Sequence, residues 1–119
     1  MQNGTKGTQW DLTGFFPSFN GPEMIVFKNK LAADISALQK KGAKLAPLSA
    51  KTAKDWERLL LAAESAETRL GHIFSYTGCL EAANADKDEY SAETANLSAL
   101  AAEYSKFGAD MLRAFKDVP

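Results

Sequence analysis

The sequence predicts an all-α protein, an up-down-up antiparallel bundle of three helices preceded by an irregular N-terminal arm. Alanine occurs 20 times in 119 residues, whereas valine occurs twice and isoleucine three times, a bias that favours helix over strand. Apolar residues recur at intervals of three and four, the period of a helix with one buried face. The connections between these stretches are short, and short connections make neighbouring helices antiparallel.

The N-terminal arm covers residues 1–21 and is rich in glycine. Residues 1–8 are polar, and we expect them to fray. Five large apolar side chains then fall within ten positions: Trp10, Leu12, Phe15, Phe16 and Phe19. Leaving that much apolar surface in water is unfavourable, so the second half of the arm is predicted to pack against the helices.

The first helix is predicted over residues 22–41. Pro22 suits the first helical position, and Glu23 complements the positive end of the helix dipole. An apolar stripe follows at spacings of three and four: Met24, Phe27, Leu31, Ile35 and Leu38. We expect two lysines in the last turn and Gly42 as the C-terminal cap.

The second helix is predicted over residues 52–83, with a capping box formed by Thr52 and Asp55 at its start. Its apolar residues spread around more than half of its circumference, so it should contact neighbours on two sides. They are Trp56, Leu60, Ala63, Leu70, Phe74 and the run from Tyr76 to Leu80.

The third helix is predicted over residues 89–116, after a polar turn at residues 84–88. Seven residues should form its inner face: Tyr90, Leu97, Leu100, Tyr104, Phe107, Met111 and Phe115. Residues 22–119 therefore form a single three-helix domain.

Glycines inside the second and third helices need an explanation, because each costs about 0.8–1 kcal/mol relative to alanine. Pairing the two helices about their turn sets small residues opposite each other at three levels: Gly71 with Ala102, Gly78 with Ala95, and Ser65 with Gly108. We expect these six residues to form a seam of close backbone approach, with an interaxial distance near the lower end of the usual range of about 8–10 Å. The alternative is that one glycine permits a kink.

The charge balance excludes several classes of partner. There are 14 basic and 15 acidic side chains, a formal net charge of −1, which predicts neither nucleic-acid nor membrane binding. The basic stretch Lys40, Lys41 and Lys44 is too short for a nucleic-acid patch.

Residues 1–10 do not resemble a signal peptide, and no apolar run is long enough to span a membrane. A single cysteine suits a reducing compartment, so we expect a soluble cytoplasmic protein.

The chain holds one histidine and one cysteine, His72 and Cys79. A catalytic zinc site needs three protein ligands, which this chain does not supply in a standard form. Ser75 lies three residues after His72, yet no aspartate is placed to orient the imidazole ring. The acidic residues 86–89 lack the glycine and the distal glutamate of a calcium loop. We therefore expect no catalytic residue, no metal site and no cofactor, with His72 structural and Cys79 a small buried apolar residue.

Three stretches together resemble a known family. The first is Trp10-Asp11-Leu12-Thr13 followed by Phe16-Pro17-Ser18, and the second is Gly21-Pro22-Glu23. The third runs from His72 to Ala82 and includes Tyr76, Cys79 and Leu80. In these stretches the chain is similar to the N-terminal region of the oligoendopeptidase F family, zinc metallopeptidases related to thimet oligopeptidase.

The resemblance implies a longer parent enzyme that hydrolyses short peptides in a cavity enclosed by helices. Its zinc would be held by the two histidines of an H-E-x-x-H motif and a downstream glutamate, and this sequence contains no such motif. The resemblance thus implies a non-catalytic N-terminal domain that helps to wall the cavity and is inactive alone. Its partner would be the remainder of the peptidase, and the isolated chain would self-associate through apolar surface.

Two other hypotheses stay open. One is a free-standing helical interaction module that buries its surplus apolar face in a homodimer. The other is an independent enzyme with a site that the sequence does not reveal.

Overall fold

The computed structural model describes residues 14–116, which form three α-helices and contain no strand. The helices are α1 (Pro22–Ala43), α2 (Ala53–Ala83) and α3 (Asp88–Lys116). Each predicted helix end lies within two residues of the observed one. The all-α prediction is confirmed, and none of the described helices is both long enough and apolar enough to cross a membrane.

Contacts between the helices define an up-down-up bundle. The α1 and α3 helices run parallel, since Lys28 pairs with Glu93 and Gln39 donates a hydrogen bond to the Glu103 carbonyl. The α2 helix is antiparallel to both, and the Tyr104 hydroxyl of α3 donates to the Ala63 carbonyl of α2 at 3.0 Å. The most extensive contact is between α1 and α3.

The predicted start of α1 is confirmed, whereas the other two predicted caps are wrong. Gly21 is the N-cap residue of α1, with Pro22 at the first helical position. The Thr52 hydroxyl forms no cap bond with α2; it accepts a hydrogen bond from the Ser49 amide and donates one to the Pro47 carbonyl, both at 2.8 Å. Thr52 therefore closes the loop before α2. Gly42 lies within α1, which continues to Ala43.

The core is formed by one stripe from each helix. The predicted stripe of α1 is confirmed, with Met24, Leu31 and Ile35 fully buried. Two predicted core residues are exposed, Leu60 by 53% and Phe115 by 57%. Tyr76 is buried on α2, and the other buried positions follow spacings of three and four from Trp56: Leu59, Ala63, Ala66, Leu70, Ile73 and Thr77. Leu60 is one residue out of phase with this stripe, so about 100° of helix rotation turns it towards solvent.

The described part of the arm packs on the bundle as predicted. Phe16 is buried with 4% of its surface exposed. The ring of Phe19 meets the ring of Tyr90 edge-on at 4.8 Å between centroids. Trp10 and Leu12 lie outside the described residues.

The predicted seam of small residues is wrong. All six of its members are exposed: Ser65, Gly71, Gly78, Ala95, Ala102 and Gly108. A Cβ atom added at any of the three glycines would meet no atom within 4 Å. The large apolar side chains of α2 and α3 set the rotation of each helix about its axis, and the small residues are left on the outer faces.

The close backbone approach occurs instead at Gly42, in the last turn of α1. This residue is buried, and a Cβ atom added to it would lie 2.8 Å from Cδ1 of Phe107. The ring of Phe107 is itself buried, with 2% of its surface exposed. Gly42 therefore leaves the space that this ring occupies between α1 and α3.

Replacing glycines by alanine should separate these two situations. Gly71→Ala, Gly78→Ala and Gly108→Ala should each raise the free energy of unfolding by about 0.5–1 kcal/mol, because alanine favours helix and the added methyl group meets nothing. Gly42→Ala should lower it by about 1 kcal/mol or more, because the Phe107 ring must move. Urea denaturation followed by circular dichroism measures both effects, and a stabilised Gly42→Ala variant would contradict this account.

Candidate functional site

An aromatic cluster surrounds the only histidine of the chain. The His72 ring lies 4.9 Å from Phe15, 5.5 Å from Phe16 and 5.7 Å from Phe27, measured between centroids. Tyr76, one turn further along α2, contacts Phe15 and Phe16 at 5.8 and 5.0 Å. Such pairs contribute about 0.5–1.5 kcal/mol each beyond the burial of their surface. We call these five residues the aromatic cluster.

The position of His72 in this cluster favours a structural role. Its ring is half-buried against phenylalanine rings, whereas Ser75 is exposed. Cys79 is a free thiol and is half-buried, rather than buried as expected. Within residues 14–116, no three histidine, cysteine, aspartate or glutamate side chains are grouped so that they could hold a metal ion.

A nearly buried ion pair joins α1 to α3 near the aromatic cluster. The Lys28 ammonium lies 2.7 Å from Oε2 of Glu93, and the side chains are 25% and 5% exposed. A carboxylate removed from water in this way needs a compensating charge or several hydrogen bonds. Lys28 supplies that charge, and its partially exposed position keeps the ammonium in contact with solvent.

A second set of charges lies between α1 and α2. Arg69 donates a hydrogen bond to Oδ2 of Asp34 at 2.8 Å, and Lys30 approaches the same oxygen at 3.4 Å. The hydrogen bond from Arg69 is the main reason why the pKa of Asp34 lies below its ordinary value, and Lys30 lowers it further. Asp34 therefore stays ionised at neutral pH and links the two helices.

Polar side chains hold the two ends of the α2–α3 pair. The Thr94 hydroxyl donates to Glu81 across the turn, and the Ser91 hydroxyl approaches the same carboxylate at 3.3 Å. Towards the other end, Tyr104 makes the hydrogen bond to Ala63 described above. Desolvation by burial raises the pKa of Tyr104 and of Tyr76 above the ordinary value of a phenol.

The structure brings some of the residues of the family resemblance together and separates others. Phe16 of the first stretch contacts His72 and Tyr76 of the third. Pro22 and Glu23 begin α1, and Pro17 is exposed. The remaining positions divide into two groups: Cys79 and Leu80, which are half-buried, and Trp10, Asp11 and Leu12, which lie outside the described residues.

Three features were missed in the sequence: the Lys28–Glu93 pair, the Asp34–Arg69 pair and the role of Gly42. The two ion pairs join residues that are 65 and 35 positions apart. The sequence does contain one signal for the Lys28–Glu93 pair. Glu93 lies on the apolar stripe of α3, at spacings of three and four from Tyr90 and Leu97, and a carboxylate on a buried stripe requires a partner.

The fold defines the class of protein as an antiparallel three-helix bundle with an aromatic segment packed on one side. No family model, no curated protein and no solved structure matches the chain.

Proposed function

We propose that this chain is the N-terminal helical domain of a cytoplasmic zinc-dependent oligoendopeptidase, a non-catalytic part that helps to wall the cavity in which the parent enzyme hydrolyses short peptides. The remainder of the peptidase is its partner and holds the zinc. The observation that carries the proposal is the contact of Phe16 with His72 and Tyr76. It joins two stretches of the family resemblance, 56 residues apart in sequence, into one packed unit.

Exposed apolar side chains give further support. Leu61, Leu112 and Phe115 have between 55% and 62% of their surface exposed. All three lie towards the end of the bundle where α2 begins and α3 ends. In the parent enzyme these side chains would be covered by the protein that follows α3.

The same side chains favour a second candidate, a free-standing helical module that forms a homodimer. Covering an apolar surface by a second copy has the same physical effect as covering it by another domain. The two candidates differ in what lies beyond α3.

The deciding experiment begins with the reading frame that follows Pro119. A downstream H-E-x-x-H motif supports the peptidase, and the longer protein should then bind zinc and cleave a short fluorogenic peptide, while the 119-residue chain cleaves none. Loss of zinc to a chelator should abolish that cleavage. A frame that ends at Pro119 would contradict the peptidase proposal.

Light scattering distinguishes the homodimer if the frame ends. The module should then have the molar mass of a dimer in light scattering. The double variant Leu61→Glu with Leu112→Glu should have the molar mass of a monomer. Alanine at both positions is the matched control, since it shortens the side chains without adding charge. A monomeric wild-type chain would contradict the second candidate.

A further inference from the structure

Charge is distributed unevenly along the bundle. Residues 40–58, which join α1 to α2, contain six basic and two acidic side chains. Residues 81–93, at the opposite end, contain five acidic side chains and one basic. The near-zero net charge of the whole chain therefore conceals a positive end and a negative end, and the positive end attracts anions.

A cleft of about 490 Å³ opens at the positive end, between the last turns of α1 and the first turns of α2. We call it the basic cleft. Its volume falls within the range typical of small-molecule sites. Its lining includes the cationic side chains Lys40, Lys41, Lys44 and Arg58 and the apolar side chains Leu45 and Leu59.

The basic cleft has a net positive charge, with four cationic side chains against one carboxylate. That carboxylate, Asp55, lies 3.7 Å from Arg58 in a pair that is largely exposed. Within residues 14–116, no carboxylate forms an ion pair with Lys40, Lys41 or Lys44. The side chains of these three lysines are exposed.

Stabilisation of the α1 helix explains only some of the four cationic side chains in the basic cleft. Lys40 and Lys41 lie in the last turn of α1, where a positive charge complements the negative end of the helix dipole. Arg58 has no such role, because it lies in the first half of α2, whose N-terminal end is already positive. The Thr52 hydroxyl caps no amide of α2, so the amides of this first turn add to the positive potential.

Apolar side chains line the cleft beside these charges. Leu59 is buried in the core and Leu45 packs against it, while Ala46 accepts a hydrogen bond from the indole of Trp56 at 2.9 Å. The indole bond and the core contacts of Leu59 fix the apolar wall. A ligand that fills the basic cleft therefore presents an anionic group to the lysines and an apolar group to the half-buried Leu45.

We propose that the basic cleft binds a small organic anion, a phosphate or carboxylate group joined to a compact apolar moiety. This inference is independent of the peptidase proposal, since the cleft is formed by the described helices alone. Phosphate and carboxylate present the same oxygen acceptors to lysine, and the compounds used in the test distinguish them.

The test is a calorimetric titration of the chain with four compounds: phenyl phosphate, phenylacetate, inorganic phosphate and benzyl alcohol. Phenyl phosphate or phenylacetate should bind at least about tenfold more tightly than inorganic phosphate, because only they cover the apolar wall. Benzyl alcohol, which lacks the charge, should bind more weakly than either. In NMR spectra the amides of Leu45 and Ala46 should shift on binding. Tighter binding of phenyl phosphate identifies a phosphate site, and tighter binding of phenylacetate a carboxylate site.

Variants assign the site to named side chains. The double variant Lys40→Gln with Lys44→Gln should weaken binding about tenfold or more, since each lost ammonium removes a charge-assisted hydrogen bond. Lys87→Gln, at the negative end of the bundle, is the matched control and should leave the affinity unchanged. Far-UV circular dichroism verifies that each variant is folded. Three results would overturn the proposal. They are an equal loss of affinity in the lysine double variant and in Lys87→Gln, binding of inorganic phosphate as tight as that of phenyl phosphate, and no saturable heat with any compound.

Discussion

Phe16→Ala should lower the free energy of unfolding by about 3–4 kcal/mol, the usual cost of removing a buried phenylalanine ring. Phe16 is 4% exposed, and its ring contacts Phe27, His72 and Tyr76 at 5.0 to 5.5 Å between centroids. Its removal leaves a cavity between the arm, α1 and α2 that these rigid rings fill only in part. Urea denaturation followed by circular dichroism gives the free energy of unfolding.

Phe115→Ala provides the matched control for this prediction. Phe115 is 57% exposed, and its ring lies 6.4 Å from the ring of Trp56, measured between centroids. Its replacement should therefore cost less than about 1 kcal/mol. Equal losses in Phe16→Ala and Phe115→Ala would show that the arm does not contribute to the core.

Lys28→Met should lower the free energy of unfolding by about 3 kcal/mol. The methionine keeps most of the aliphatic length of Lys28 but removes the ammonium group that lies 2.7 Å from Glu93. The carboxylate, 5% exposed, is then left without its counter-charge. Removing one partner of a buried ion pair costs about 3–5 kcal/mol, and solvent at the exposed side of Lys28 places the effect at the lower end.

A second variant and a double variant make this prediction specific. Lys30→Met, two residues away on α1, removes the ammonium of a 72% exposed lysine and should cost less than about 0.5 kcal/mol. The double variant Lys28→Met with Glu93→Leu should regain most of the lost stability, because both charges of the pair are replaced by apolar groups. A double variant less stable than Lys28→Met alone would mean that Glu93 contributes through contacts other than this pair.

The helices of this protein could be predicted because their signals are local. Pro22 sets the start of α1, the polar turn at residues 84–88 separates α2 from α3, and the apolar stripe of α1 recurs at helical spacing. Each of these signals lies within one turn of the residues that it affects, so no knowledge of distant contacts is needed. The buried part of the arm was predicted for another reason, namely that exposing its phenylalanine side chains to water is unfavourable.

The rotation of α2 and α3 about their own axes could not be predicted in the same way. Both helices are rich in alanine, and a small apolar residue is compatible with the core and with the surface alike. Matching small residues across the turn therefore predicted a seam at Gly71, Gly78 and Gly108, all of which are exposed. The orientation depends on how the larger side chains of three helices fill one space, as at Leu59 and Phe107.

The residues with candidate roles also divide into features that composition predicts and features that depend on contacts between helices. The expectation of no standard zinc site rests on composition, since the chain has one histidine and one cysteine. The aromatic cluster, the Lys28–Glu93 pair and the basic cleft depend on which residues of different helices meet.

The helices, their limits and the buried stripe of α1 follow from the sequence alone, because hydrogen bonding and side-chain periodicity within a helix are local. The tertiary structure was needed to show that Gly42 accommodates Phe107, that Glu93 is paired, and that four cationic side chains line one cleft. These features depend on packing, because the rotation and register of each helix are set by the shapes of side chains from all three helices together.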